Sequence, residues 1–334
     1  MSSDSTDAAL FGTIAHPIPE DWGVHRMPGL GGRLAVVTGG NTGLGLATAR
    51  ELARAGADVV LAVRSTGRGA AAAADIRQAA PRSRVDVHRL DLADLSSVRD
   101  FADRFLDEYP ALDLLVNNAG IMATPRRTTA DGFEAQFGTN HLGHFALTGR
   151  LLPALAAATA ARVVTVSSLL HTLGRLDFRD LQSKRHYGRV RAYANSKLAN
   201  LLFTAELDRR SRAAGLSLRA YAVHPGYVAT SLLTTGQPAL LRTLLAVPNA
   251  LIAVRPATGA LPTLCAATLP GLPGGTFLAP RGRGSLRGAP ILLTPSPRAR
   301  HRPTATRLWE ISQTLTAVRY DFPSPAPVAD RPAP

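Results

Sequence analysis

Residues 34–45 read Leu-Ala-Val-Val-Thr-Gly-Gly-Asn-Thr-Gly-Leu-Gly, and an alanine-rich segment follows them. The apolar and β-branched run Leu34–Thr38, ended by glycines, predicts a buried strand. From Leu44 to about residue 56 the chain has no proline and is rich in Ala, Leu and Arg, which predicts a helix. Strand, glycine turn and helix in that order make a dinucleotide site. Small residues let the backbone approach a pyrophosphate, while free N–H groups and the positive end of the helix stabilise its charge. A glycine cluster alone says little, and the flanks give this one its meaning. The spacing is Thr-Gly-x3-Gly-x-Gly, through Gly39, Gly43 and Gly45.

Downstream, short apolar runs alternate with longer helical patterns. Strands are expected at Asp58–Val63, Arg84–Leu90, Leu112–Asn117, Arg162–Ser167, Leu216–Val223 and Thr276–Ala279, and helices near 44–56, 67–80, 95–109, 131–158 and 190–214. This alternation predicts an α/β fold: one doubly wound parallel sheet of about seven strands with helices on both faces. Residues 31–280 form the expected catalytic domain, with no linker and no fixed-period repeat. Residues 1–30 read as an irregular arm, and residues 281–334 as an Arg/Pro-rich C-terminal extension. In that extension Leu308, Ile311 and Leu315 fall at helical spacing, so a short helix near 305–315 is expected to pack back on the domain. The apolar stretch 236–254 reads as a substrate lid or core helix, with peripheral membrane contact as the sharper alternative.

At 334 residues and 46% hydrophobic, the chain can bury a substantial core, which excludes a disordered or collagen-like class. No run of eighteen apolar residues spans a membrane. A lone cysteine, Cys265, has no internal disulfide partner, and the first residues lack a signal-peptide pattern, so a cytoplasmic location is expected. The net charge of +14 comes from 36 arginines and only two lysines, Lys184 and Lys197. Such a skew points to biased codon composition before a polyanion partner. The basic tail lacks interleaved aromatics, so no nucleic-acid partner is expected.

The turn's spacing resembles that of the short-chain dehydrogenase/reductase family. Later segments agree in order and separation over residues 30–280: Asn117-Asn118-Ala119-Gly120, Asn140 in NHLGHF, Ser167-Ser168, Tyr193-x3-Lys197 and Pro225-Gly226. The text LLVNNAGIM, FGTNHLGHF, YANSKLAN, VHPGYVAT and RLWEISQTLT is similar to retinol dehydrogenases and bacterial enzymes like them. The resemblance implies a Rossmann-type sheet and an oxidoreductase that uses a nicotinamide cofactor. It implies cofactor contacts from Thr38, Gly39, Asn41, Thr42, Gly43, Leu44 and Gly45, from Asn118, Ala119 and Gly120, and from Pro225 and Gly226. Asp91 and Leu92 would border the adenine, and Val228 and Thr230 the carboxamide. Family members often pair through two long helices, so a homo-oligomer is expected.

The second strand ends in Val63-Arg64-Ser65. NAD enzymes place an acid near this point for the ribose hydroxyls; here Arg64, with Arg68 close by, suits the extra 2′-phosphate of NADP. NADP(H) is the expected cofactor, and NAD(H) stays open. Tyr193 and Lys197 lie four apart and share a helix face. An ammonium beside the phenol favours the phenolate and lowers its pKa, and lysine can pass a proton where arginine cannot. Lys197 also reaches the cofactor ribose, so both residues count as cofactor contacts too. By resemblance Ser168 steadies the substrate oxygen, and Asn140 holds a relay water near Lys197. The segment 171–192 is expected to overhang the pocket. His141 and His144 have no Cys or acidic partner and read as packing, so no metal is expected.

The reading is therefore an NADP(H)-dependent oxidoreductase acting on a hydrophobic alcohol, aldehyde or ketone. Alternatives are a C=C reductase of the protochlorophyllide type and a non-catalytic cofactor-binding scaffold.

Overall fold

Strand β1 (Leu34–Thr38) buries every residue after its first, as a strand covered on both faces must. The structure is a computed structural model that describes residues 18–226, 255–285 and 287–322. Seven further strands join β1 in one sheet: β2 (Asp58–Val63), β3 (Val85–Arg89), β4 (Leu114–Asn117), β5 (Arg162–Val166), β6 (Arg219–Val223), β7 (Phe277–Pro280) and β8 (Pro290–Leu293). Their order is β3-β2-β1-β4-β5-β6-β7-β8, parallel except for the antiparallel β7–β8 pair. The order reverses between β1 and β4, which opens a crevice at the carboxyl ends of those strands.

Helices cover both faces: α1 (Gly43–Arg54), α2 (Thr66–Ala79), α3 (Leu95–Glu108), α4 (Gly143–Arg150), α5 (Leu152–Ala157), α6 (Arg189–Ala213), α7 (Leu261–Thr268) and α8 (Arg302–Thr316). The two-residue period of β1 divides the core. Ala35 and Val37 meet Leu52 of α1, Ile76 of α2 and Leu264 of α7 on one side. Val36 on the other side joins Phe101 and Phe105 of α3, Phe145 of α4, Phe203 of α6 and Trp309 of α8. Each Val, Leu, Ile or Phe side chain so removed from water contributes about 1.5–3 kcal/mol. Helix α3 shows the local logic. Asp94 caps it by accepting from the Ser96 and Ser97 N–H groups, and Val98, Phe101, Ala102 and Phe105 form its buried stripe.

The structure departs from the sequence reading in three places and adds detail in a fourth. The helix expected over 131–158 is broken into Ala135–Phe137, a π turn at Gly138–Leu142, α4 and α5. Gly143 abuts the Leu92 carbonyl, where a Cβ would lie 2.4 Å from the oxygen, and Pro153 starts α5. The sheet also continues past residue 280. Strand β8 is a short proline-flanked run at the edge, where Pro290 is tolerated, and it gives no alternating signal. The described part of the N-terminal arm, residues 18–30, holds one 3-10 turn, Val24–Arg26, and anchors itself by burying Ile18, Trp22 and Leu30 in the core. Finally, none of residues 171–192, expected to overhang the pocket, lines the crevice. The loop after residue 174 packs over the start of the broken helix, where Tyr187 Oη donates to the Thr124 carbonyl and Gln182 Oε1 accepts from the Glu134 N–H. The stretch 236–254 lies outside the described residues.

Candidate active site

One cavity of about 910 Å³ occupies the crevice. At one end is the glycine turn. Gly39 takes φ +65°, open to glycine at little cost, and a Cβ on Gly45 would lie 2.5 Å from the Gly39 carbonyl oxygen. Thr42, at the N-cap of α1, makes no side-chain cap bond, so the first N–H groups of the helix stay available to a ligand. Asn41, Thr42, Gly43 and Leu44 line this end with Gly39 and Gly45. Arg64, Ser65 and Arg68 line it farther out, and no described carboxylate pairs with either guanidinium. A narrow backbone cradle facing two unpaired cations fits a dinucleotide phosphate chain.

Asp91, Leu92, Asn118, Ala119, Gly120, Pro225 and Gly226 also line the cavity. Val228 and Thr230 lie outside the described residues. Thr38 does not line it and is fully buried. Its Oγ1 accepts from the N–H groups of Asn118 and Ala119, both at 2.9 Å, which ties the end of β1 to the end of β4. Its expected cofactor contact is therefore corrected to a scaffold role. Asn118 completes the tie, with Nδ2 donating to the Thr38 carbonyl at 2.8 Å. Asp91 faces the cavity while its Oδ1 accepts from the Ala93 N–H at 3.0 Å.

At the other end, Ser168, Tyr193 and Lys197 share the cavity wall. Ser168 follows β5, and its Oγ accepts from the Leu170 N–H at 3.2 Å, keeping its proton for donation. Ser167 is spent elsewhere, its hydroxyl donating to the Lys197 carbonyl at 2.8 Å. Tyr193 and Lys197 project from α6, with Nζ 5.7 Å from the centre of the phenol ring. Nζ donates to the Val166 carbonyl at 2.9 Å. Burial pulls the lysine pKa down to about 8. Burial pushes the Tyr193 phenol up to about 12, and only Ser168 acts the other way. The lysine-driven fall expected for the phenol is absent here, and desolvation sets the direction.

Asn140 lies in the π turn, wholly buried and off the cavity wall. Its Oδ1 accepts from the Ile121 N–H at 2.8 Å, and its Nδ2 donates to the Ile121 carbonyl and to Ser196 Oγ, both at 2.9 Å. Both amide hydrogens are thus engaged, whereas Oδ1 uses one of its two acceptor positions. His144 packs as expected between Thr38 Oγ1 and the Asn140 carbonyl, each 3.0 Å away, and burial holds it neutral with a pKa of about 4. His141 Nε2 lies 2.9 Å from Ser312 Oγ of α8. Among the described residues, no group of three or more His, Cys, Asp or Glu is placed to hold a metal ion. Wall residues missed from the sequence include Ala62, Leu90, Val166 and His224, at or just beyond strand carboxyl ends, and Ile121, Met122, Thr139, Leu169 and Leu170 on connections. The strand-end rule offered a signal for the first group only.

Comparison with known proteins agrees with this geometry. The family model described as short chain dehydrogenase matches residues 33–239. Retinol dehydrogenase 12 of Homo sapiens is 44% identical over 292 residues, covering 87% of this chain and 89% of that protein. Retinol dehydrogenase 11 of Mus musculus is 42% identical over 298 residues, covering 88% and 89%. A crystal structure of a Mycobacterium paratuberculosis protein, 46% identical, superposes with a TM-score of 0.75 over 90% of this chain and 98% of that one. With fold, site and sequence in agreement, this chain belongs to the short chain dehydrogenase family and is an oxidoreductase similar to the retinol dehydrogenases.

Proposed function

We propose that the chain is an NADP(H)-dependent oxidoreductase interconverting a hydrophobic alcohol and its aldehyde or ketone. One observation carries the reading: a single cavity joins the glycine turn to Ser168, Tyr193 and Lys197. When bound, the nicotinamide supplies or accepts the hydride. The chain's own residues do the rest. The turn and the α1 N-terminus seat the pyrophosphate, and Arg64 and Arg68 pair with the 2′-phosphate. Ser168 donates to the substrate oxygen, and Tyr193 Oη gives or takes its proton. Lys197, with a pKa of about 8, is largely cationic at neutral pH and favours the phenolate. Asn140 fixes Ile121 against Ser196, steadying the loop beside Lys197.

Retinol enters through the names of the relatives. The apolar wall residues Ile121, Met122, Leu169 and Leu170 support a retinoid or similarly apolar substrate. Tyr193→Phe is expected to lower kcat at least ~100-fold while NADPH still binds. Unimpaired turnover on a panel of retinoids, steroids and medium-chain aldehydes would overturn the reading. Arg64→Asp is expected to raise the KM for NADPH on the order of tenfold while sparing NADH. Equal losses with both cofactors would remove the case for the 2′-phosphate.

A further inference from the structure

Ser168 has a second structural duty. It is the N-cap of a single 3-10 turn, Leu169–Leu173, so the direction of its hydroxyl depends on where that turn is held. One turn cannot hold itself in water and needs tertiary support. His171, inside the turn and wholly buried, supplies it. Its Nδ1 lies 2.7 Å from the Ser168 carbonyl, and its Nε2 lies 3.3 Å from the Ser296 N–H, in the chain beyond β8. A carbonyl can only accept, so Nδ1 carries the proton. A main-chain N–H can only donate, so Nε2 is bare. Both ends demand the same neutral tautomer, and burial lowers the pKa in the same direction. The ring stands edge-on to Phe277 of β7, with centroids 5.5 Å apart. Arg298 Nη1 reaches the carbonyls of Thr172 and Gly174 at 3.5 Å, gripping the far end of the turn.

We propose that His171 is a positioning residue for Ser168, and that through it the C-terminal segment around Ser296–Arg298 sets the geometry of the active site. The proposal rests on the role given to Ser168 above. It also gives a function to part of the extension that the chemistry left without one.

Ser296→Pro is the sharpest probe. The residue has φ −54°, which proline shares, and its hydroxyl has no hydrogen-bond partner among the described residues, so the change removes chiefly the N–H. His171→Phe keeps an aromatic ring against Phe277 and loses both bonds, whereas His171→Asn retains a donor toward Ser168. We expect Ser296→Pro and His171→Phe each to lower kcat on the order of tenfold or more, with the NADPH Kd nearly unchanged. The double variant should be no worse than the poorer single one, because both break one chain of contacts. His171→Asn should recover part of the loss. A lowered Tm with wild-type kcat in Ser296→Pro would mean a merely structural role and overturn the proposal. Should His171→Phe fail to fold, Ser296→Pro decides alone. Ser168→Ala separates the two levels. Its inactivity beside a fully active Ser296→Pro would overturn the positioning alone. Full activity in Ser168→Ala would overturn the reading of Ser168 and this proposal with it.

Discussion

Lys197 stands where the proposed chemistry uses an ammonium, in surroundings that disfavour one. It is 4% exposed, and desolvation lowers its pKa from 10.5 to about 8. Below about 8 both folded and unfolded chains are protonated, and the folded state carries the full cost of a buried charge. Between the two values the unfolded chain holds more protons, so stability rises with pH across that window. The shift corresponds to on the order of 3 kcal/mol. The Val166 carbonyl would keep Asn200 Nδ2 at 3.2 Å if the lysine were lost. Lys197→Met is therefore expected to stabilise the fold by ~1–3 kcal/mol at pH 7, with a smaller gain at pH 10, while abolishing turnover. Urea denaturation of both proteins at the two pH values measures this. The shared face of Tyr193 and Lys197 was legible because four-residue helical spacing is a local rule, whereas their chemical roles and that of Ser168 came from the family resemblance. The roles of Thr38 and Asn140 were not legible, since their side chains are spent on backbone groups of segments distant in sequence.

Elements were legible where one period ran unbroken. Helix α3, with its Asp94 cap and apolar stripe, lies close to its expected bounds. Asp94→Ala is expected to cost about 1 kcal/mol, since the Ser96 and Ser97 N–H groups lose their acceptor. The readout is a lower urea midpoint with turnover nearly unchanged. The helix expected over 131–158 failed for the opposite reason. Gly132, Gly138, Gly143, Gly149 and Pro153 interrupt its apolar pattern, and at the close approach of Gly143 to the Leu92 carbonyl the helix takes a π turn. Strand β8 carries no alternation of its own and becomes a strand by pairing with β7.

At the scale of the whole molecule, the stretch 302–320 of the C-terminal extension packs into the core. Trp309 of α8 is 2% exposed, stacks on Phe203 of α6 at 5.9 Å and lies beneath the Arg210 guanidinium at 4.8 Å. Trp309→Ala is expected to destabilise the protein by ~3–5 kcal/mol, measured by chemical denaturation, through the cavity left between two helices. The arginine excess is partly absorbed at this scale. Arg209 and Arg210 pair with the buried Glu206, and Arg84 with Asp86 and Glu108. The sequence by itself determined the alternating βα order, the phosphate turn and the shared face of Tyr193 and Lys197, because each follows from steric and periodic rules within a few residues. Only the tertiary structure decided that Thr38 is a buried tie, that Asn140 is bonded to Ile121 and Ser196, and that residues 290–296 add an edge strand and reach His171. Those outcomes depend on hydrogen bonds and burial between segments far apart in the chain, which no local pattern encodes.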